Sequence, residues 1–149
     1  MVEIPFETTL LVRDTCLCLA SQRAARALAR LFDEALRPLD LTNGQFSLLM
    51  SLNRPKPPTI SSVAEFLAMD RTTLTAALKP LQRRRLIRVT VDPNDRRGRL
   101  LRLTRKGRGL LAAAVPVWKH HHRSLEKMLP QRSEELRDSL AMLSKPTLR

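Results

Sequence analysis

A mainly α-helical fold with one small β-hairpin is what this sequence predicts, on three observations. Apolar residues recur at three- and four-residue steps through most of the chain, the period of helices buried on one face. Ile87, Val89 and Val91 alternate with Arg88 and Thr90, and Leu101 and Leu103 with Arg102, which is the period of a strand. Between those runs lies Asp92-Pro-Asn-Asp-Arg-Arg-Gly98, rich in turn formers. The chain has 149 residues, 43% of them apolar, with four glycines and ten prolines. That is the size and composition of one ordinary globular domain, and it excludes fibrous and disordered classes.

Thr8 or Thr9 caps a predicted first helix that runs to about Arg37. Leu17, Ala20 or Ser21, Ala24, Leu28, Leu31 and Ala35 form its stripe, widened by Leu11, Cys18, Ala25 and Phe32. So long a helix exceeds what one small core covers, so part of the stripe is expected to meet a second copy. Pro38 ends it. Thr42 caps a short helix burying Phe46, Leu49, Met50 and Leu52. Arg54-Pro-Lys-Pro-Pro58 is a connector too rich in proline for regular structure. A brief helix starts at Ser61 or Ser62 and ends by Met69. Asp70 caps the next, with Leu74, Leu78 and Leu81 on its buried side and Pro80 bending it. The hairpin follows. Thr104 then caps a helix to about Met128 that Gly107, Gly109 and Pro116 weaken. Pro130 begins the last, with Leu136, Leu140 and Leu143 on one face, stopped near Pro146.

Charge is concentrated. Lys and Arg number 27 against 14 Asp and Glu, a net charge of +13. Between Lys79 and Arg108 stand twelve basic residues opposed only by Asp92 and Asp95. Self-repulsion of that density costs stability, and a bound polyanion offsets the cost. The stretch is expected to form one continuous surface around an exposed helix and the hairpin arm. Arg23, Arg26 and Arg30 interrupt the longest apolar run, so no membrane span is expected. The N-terminal segment does not read as a secretion signal, and Cys16 and Cys18 fit a reducing compartment, so a cytoplasmic location is expected. No phosphate loop, metal-ligand pattern or nucleophile constellation is legible, so no enzymatic activity, cofactor or metal is expected.

A short helix, a tight connection, a second helix with Thr and Arg on its open side and a basic hairpin constitute a winged helix-turn-helix. The major groove of DNA is wide enough to admit such a helix. The candidate DNA-binding residues are Arg71, Thr72, Thr73, Thr75, Lys79 and Arg83 on the helix, and Arg96, Arg97 and Arg99 in the hairpin. Double-stranded DNA is favoured over RNA, whose deep groove excludes side chains. Asp95 is read as fixing Arg97. A nonspecific or architectural DNA-binding protein is the alternative.

Leu41-Thr-Asn-Gly-Gln-Phe-Ser-Leu-Leu49, followed by SVAEFLAMDRTTLTAALKPLQRRRLI (62 to 87) and DPNDRRGRLLRLTRKG (92 to 107), resembles the MarR family of transcriptional regulators. The likeness covers nearly the whole chain. It implies a homodimer joined through long terminal helices, with residues 1–37 and 104–149 as the dimerisation region and 38–103 as the DNA-binding region, together one compact domain. It also implies a pseudopalindromic site and repression relieved by a small-molecule effector or an oxidant. The helix matching 70 to 84 would read the major groove and Arg97 the minor groove. A glycine is common in the family where Arg85 stands, so Arg85 is expected in a left-handed conformation.

Cys16 and Cys18, two apart on a helix, would point away from one another, which disfavours an intrachain disulfide. Organic-peroxide sensors of the family carry a cysteine matching Cys18, which makes Cys18 and Cys16 candidate redox sensors. Their tyrosine partners are missing, with Gln22 and Phe32 at the matching positions. The consecutive His120, His121 and His122 read as a polar patch rather than a metal site.

Overall fold

The computed structural model describes residues 2–145. Seven helices and a two-stranded antiparallel hairpin follow in the order α1 (Phe6–Thr15), α2 (Leu17–Leu36), α3 (Asn43–Ser51), α4 (Ile60–Phe66), α5 (Arg71–Arg83), β1 (Ile87–Asp92), β2 (Asp95–Leu103), α6 (Arg105–Met128) and α7 (Ser133–Leu143). The expected mainly helical fold with a hairpin wing is what forms. The core gathers Leu36, Leu49, Leu74, Leu78, Leu81, Leu86 and Leu101, all fully buried. α6 packs along α2 and α3, which ties the two longest helices to the unit that follows α2.

Caps fix most helix starts. Thr42 and Gln45 form a reciprocal capping box at α3. The Asp70 and Thr104 side chains accept backbone N–H bonds at the starts of α5 and α6. Asp33 reaches from α2 to α3, its carboxylate accepting from the Asn43 backbone N–H at 2.7 Å and from its side-chain amide at 2.8 Å. Those two bonds hold the Asp33 carboxyl below the usual carboxylate range.

Several expectations need correction. The first helix begins earlier, at Phe6, and breaks at Cys16, whose extended backbone separates α1 from α2. Cys16 Sγ accepts from the Leu19 N–H at 3.4 Å, so the thiol itself caps α2. The two cysteines thus do not share one helix: Cys16 is the extended cap and Cys18 stands in the first turn of α2, so the helical angle expected between them does not apply. A 3-10 turn, Arg37–Leu39, holds Pro38. Leu48, not Met50, faces the core from α3. α4 starts at Ile60 under a Thr59 cap, one to two residues before either serine. Pro130 belongs to a turn, with Gln131 at φ 61°, and α7 begins only at Ser133. The stop assigned to Pro146 lies outside the described residues.

The connector is less irregular than its prolines suggest. Leu101 N–H donates to the Pro58 carbonyl at 2.9 Å and Thr59 bridges Leu100, so this segment lies along the free edge of β2. Gly107, read as a weak point, sits where α6 meets the end of α5: a Cβ there would overlap the Leu86 carbonyl. Arg85 has φ 58°, the left-handed conformation expected of it.

Candidate nucleic-acid interface

α5 owes its orientation to its three leucines. At about 100° per residue, burying Leu74, Leu78 and Leu81 turns Thr72, Thr75, Lys79 and Arg83 outward and leaves Arg71 at the edge nearer the wing. All five are exposed. Thr73 falls on the opposite flank. Its hydroxyl donates to Asp70 Oδ2 at 2.6 Å and its N–H to Oδ1 at 2.8 Å, and the two hold the Asp70 carboxyl below its usual range. The Thr75 hydroxyl donates to the Arg71 carbonyl at 2.7 Å. Thr75 therefore presents its methyl group and an accepting oxygen, with its donor already engaged.

The wing is longer than the turn formers imply. β2 begins at Asp95, leaving only Pro93 and Asn94 between the strands, with a register shift after Val91. Arg96, Arg97 and Arg99 thus stand on the strand behind the tip rather than in an extended loop. Asp95 Oδ1 accepts from the Arg97 backbone N–H at 2.9 Å. The carboxylate fixes the backbone of Arg97 and leaves its guanidinium free of that contact. Arg99 differs, because its Nη1 donates to the Arg96 and Gly98 carbonyls at 3.1 and 3.0 Å. Gly98 is closely approached: a Cβ there would come 3.1 Å from Asp92 Cβ and 3.2 Å from the Asp95 carbonyl oxygen.

Helix and wing enclose one cleft of about 390 Å³ lined by Arg71, Arg97, Arg99 and the start of α4 at Thr59 to Ser61. Asp92 and Asp95 also line it. The cleft brings Arg71, Arg97 and Arg99 together; Thr72, Thr75, Lys79 and Arg83 continue along the exposed side of α5, and Arg96 and Thr73 lie off the cleft. Thr59 and Ser61 were missed in the sequence, although a threonine three residues before Ser62 is a capping signal.

Three of the twelve cations between Lys79 and Arg108 are engaged with backbone carbonyls of the fold. Arg84 Nη1 donates to the Asp40 carbonyl at 2.6 Å, Lys106 Nζ to the Arg84 carbonyl at 3.0 Å, and Arg108 Nη1 to the Leu103 carbonyl at 3.1 Å. These three satisfy carbonyls in the turn before α3, where α5 ends, and where β2 passes into α6. The histidines form no metal cluster: among the described residues no three His, Cys, Asp or Glu converge. His122 instead stacks on Trp118 with centroids 4.6 Å apart and faces Glu126 at 3.6 Å. No described helix is long and apolar enough to cross a membrane.

Comparison with known proteins agrees with this geometry. The model of the MarR family matches residues 41–98. The DNA complex of the Mycobacterium tuberculosis transcriptional regulator MosR is 36% identical, the match covering 87% of this chain and 93% of that one, with a TM-score of 0.79. The repressor CouR, from Rhodococcus jostii RHA1, on a 23-mer DNA duplex is 29% identical over 97% and 100% of the two chains, with a TM-score of 0.78. The transcriptional repressor NicR of Pseudomonas putida is 33% identical over 76 residues, 51% of this chain and 48% of NicR. The chain spans about half the length of the curated relatives it matches.

Proposed function

The chain belongs to the MarR family, and from that premise we propose that it is a homodimeric, sequence-specific regulator of transcription that binds double-stranded DNA and represses until an effector releases it. The observation that carries this reading is the cleft joining Arg71 to Arg97 and Arg99, continuous with the outward row of Thr72, Thr75, Lys79 and Arg83. Phosphate contacts from the arginines set register, and the threonine methyls and the Lys79 ammonium meet base edges. In this reading residues 38–103 hold the duplex, and residues 1–37 and 104–149 join two copies. Unpartnered apolar side chains at both ends of the chain support that division: Phe6, Leu11 and Leu17 toward the N-terminus, Leu136, Leu140 and Leu143 in α7. Dimerisation sets the two α5 helices about one helical turn apart, about 34 Å, to meet successive major grooves of a pseudopalindrome. MosR and CouR have been seen on DNA, which favours the same use of this fold here.

Release acts on the contact between long helices and DNA-binding unit. A cleft of about 220 Å³ between α2, α3 and α6, lined by Ala25, Leu28, Phe32, Phe46 and Trp118 with Asn43 and Ser47 as its polar groups, fits a small apolar effector there. Thiol oxidation is the second trigger. Cys18 is exposed, and its Sγ accepts from the Gln22 amide at 3.2 Å while Gln22 Oε1 accepts from Arg26 at 3.0 Å. Gln22 thus holds the sulfur where the family's peroxide sensors have a tyrosine. Peroxide is expected to release DNA from the wild type and not from Cys18→Ser; equal release from both removes Cys18 from the mechanism.

The regulator is separated from an architectural protein by selection of genomic fragments followed by competition. A selected duplex is expected to survive excess random duplex with a preference of about 10³ or more. Preference near unity assigns the basic surface to nonspecific binding instead.

A further inference from the structure

A second concave surface lies at the other end of the wing. The connector from Asn53 to Pro58 is held to β2 by the Leu101–Pro58 backbone bond and the Thr59–Leu100 bridge. Between this connector, the base of β2 and the first turn of α6 is a cleft of about 220 Å³. Three arginines, Arg54, Arg102 and Arg108, line it together with Asn53. No carboxylate lines it. The floor is the buried edge of Leu101 and Leu103.

Two of the three guanidinium groups are held in place. Arg54 Nε donates to the Ser51 carbonyl at 2.8 Å and its Cζ lies 5.6 Å from the Phe66 ring centroid. Arg108 Nη1 donates to the Leu103 carbonyl. Arg102 stands directly opposite Arg88 across the hairpin, and like charges at facing positions oppose strand pairing. Among the described residues none of these four arginines has a carboxylate within ion-pair distance. Arginines gathered around one cleft, two of them partly fixed and none with a counter-charge, are the residue type that recognises oxyanions bidentately.

We propose that this cleft binds a small oxyanion, a phosphate or carboxylate head group. Its volume is below the roughly 300–1,000 Å³ of drug-sized sites, which limits the occupant to a small anion. Arg102 follows Arg97 by five residues of β2, about 17 Å at 3.3 Å per residue, so the cleft is well removed from the wing tip. The anion neutralises the Arg88–Arg102 opposition and bridges the connector to the wing base. This site stands whether or not the opposite face holds DNA.

Inorganic phosphate and glutarate, titrated separately into the full chain by calorimetry, test it. Saturation by either anion at one site per protomer, with a dissociation constant of about 1 mM or tighter, is expected. Arg102→Gln and Arg54→Gln should each weaken it about tenfold or more, the effect of losing one charge-assisted contact. Arg97→Gln should leave it within about twofold, because Arg97 is outside the cleft. Unchanged melting temperatures of the variants establish that the loss is local. Failure of both anions to saturate by about 10 mM, equal weakening in Arg97→Gln, or displacement of the anion by an unrelated DNA duplex overturns the proposal.

Discussion

Replacing Arg97 by alanine, with Arg84→Ala as its partner experiment, separates cations that face a duplex from cations that hold the fold. Both residues belong to the same basic window, and composition cannot tell them apart. Arg97 is exposed and its backbone is fixed by Asp95, whereas Arg84 donates to the Asp40 carbonyl at 2.6 Å and lies 3.4 Å from the Asp40 carboxylate. Each phosphate neutralised on B-DNA contributes a slope of about 0.9 to the dependence of log affinity on log salt. With Arg97 on a phosphate in the proposed homodimer, Arg97→Ala removes two such contacts and the slope falls by about 1.8. Between about 50 and 200 mM salt, that difference removes about twelvefold of the wild type's salt-induced loss of affinity. Arg84→Ala should keep the wild-type slope and lower the melting temperature. Fluorescence anisotropy of a labelled duplex over a salt series reads the slope, and calorimetry the melting temperature. An unchanged slope in Arg97→Ala, or an equal fall in Arg84→Ala, refutes this division of the basic window.

Three further outcomes are expected. Gly107→Ala should destabilise the fold by about 1–3 kcal/mol because its methyl overlaps the Leu86 carbonyl, while Gly109→Ala, with nothing within 4 Å of the added carbon, should stabilise α6 by about 0.5–1 kcal/mol in thermal or urea unfolding. Asp33, whose carboxyl is depressed by its bonds to Asn43, contributes stability that is fully present above the unfolded carboxylate pKa of about 4 and is lost as pH falls through the lower folded value. Asp33→Asn should therefore narrow the gap to wild type below about pH 4 in acid unfolding, and a constant gap at every pH contradicts the assignment. Thr75→Val keeps the methyl group and removes the oxygen, so it should change operator discrimination more than affinity for random duplex; an unaltered ranking of selected sites excludes Thr75 from base reading.

Local chemistry was legible where one side chain decides the outcome. Thr42, Asp70 and Thr104 announce helix starts because each supplies an acceptor to orphan N–H groups, and Leu74, Leu78 and Leu81 mark a buried face by spacing alone. The break at Cys16 was not legible. No glycine or proline interrupts the run from Phe6 to Leu36, and a thiol is an unusual cap. Asp95 to Gly98 reads as turn by composition, yet pairing of Val91 with Arg99 draws these residues into the ladder. Gly107 looks like a helix defect until the Leu86 carbonyl is brought against it by tertiary packing. The count of cations in the window was readable, whereas their direction depends on partners distant in sequence: Arg84 reaches 44 residues back to Asp40, and Lys106 reaches 22 back to Arg84.

The most direct test of two coupled reading surfaces is the spacing of the half-sites in a selected operator. Inserting about 5 base pairs at its centre turns the halves to opposite faces of the duplex, since one turn is about 10–10.5 base pairs. Affinity for the altered operator should then drop to that for random duplex. Retention of full affinity would mean that each surface binds alone, contradicting a dimer that presents paired α5 helices to successive major grooves.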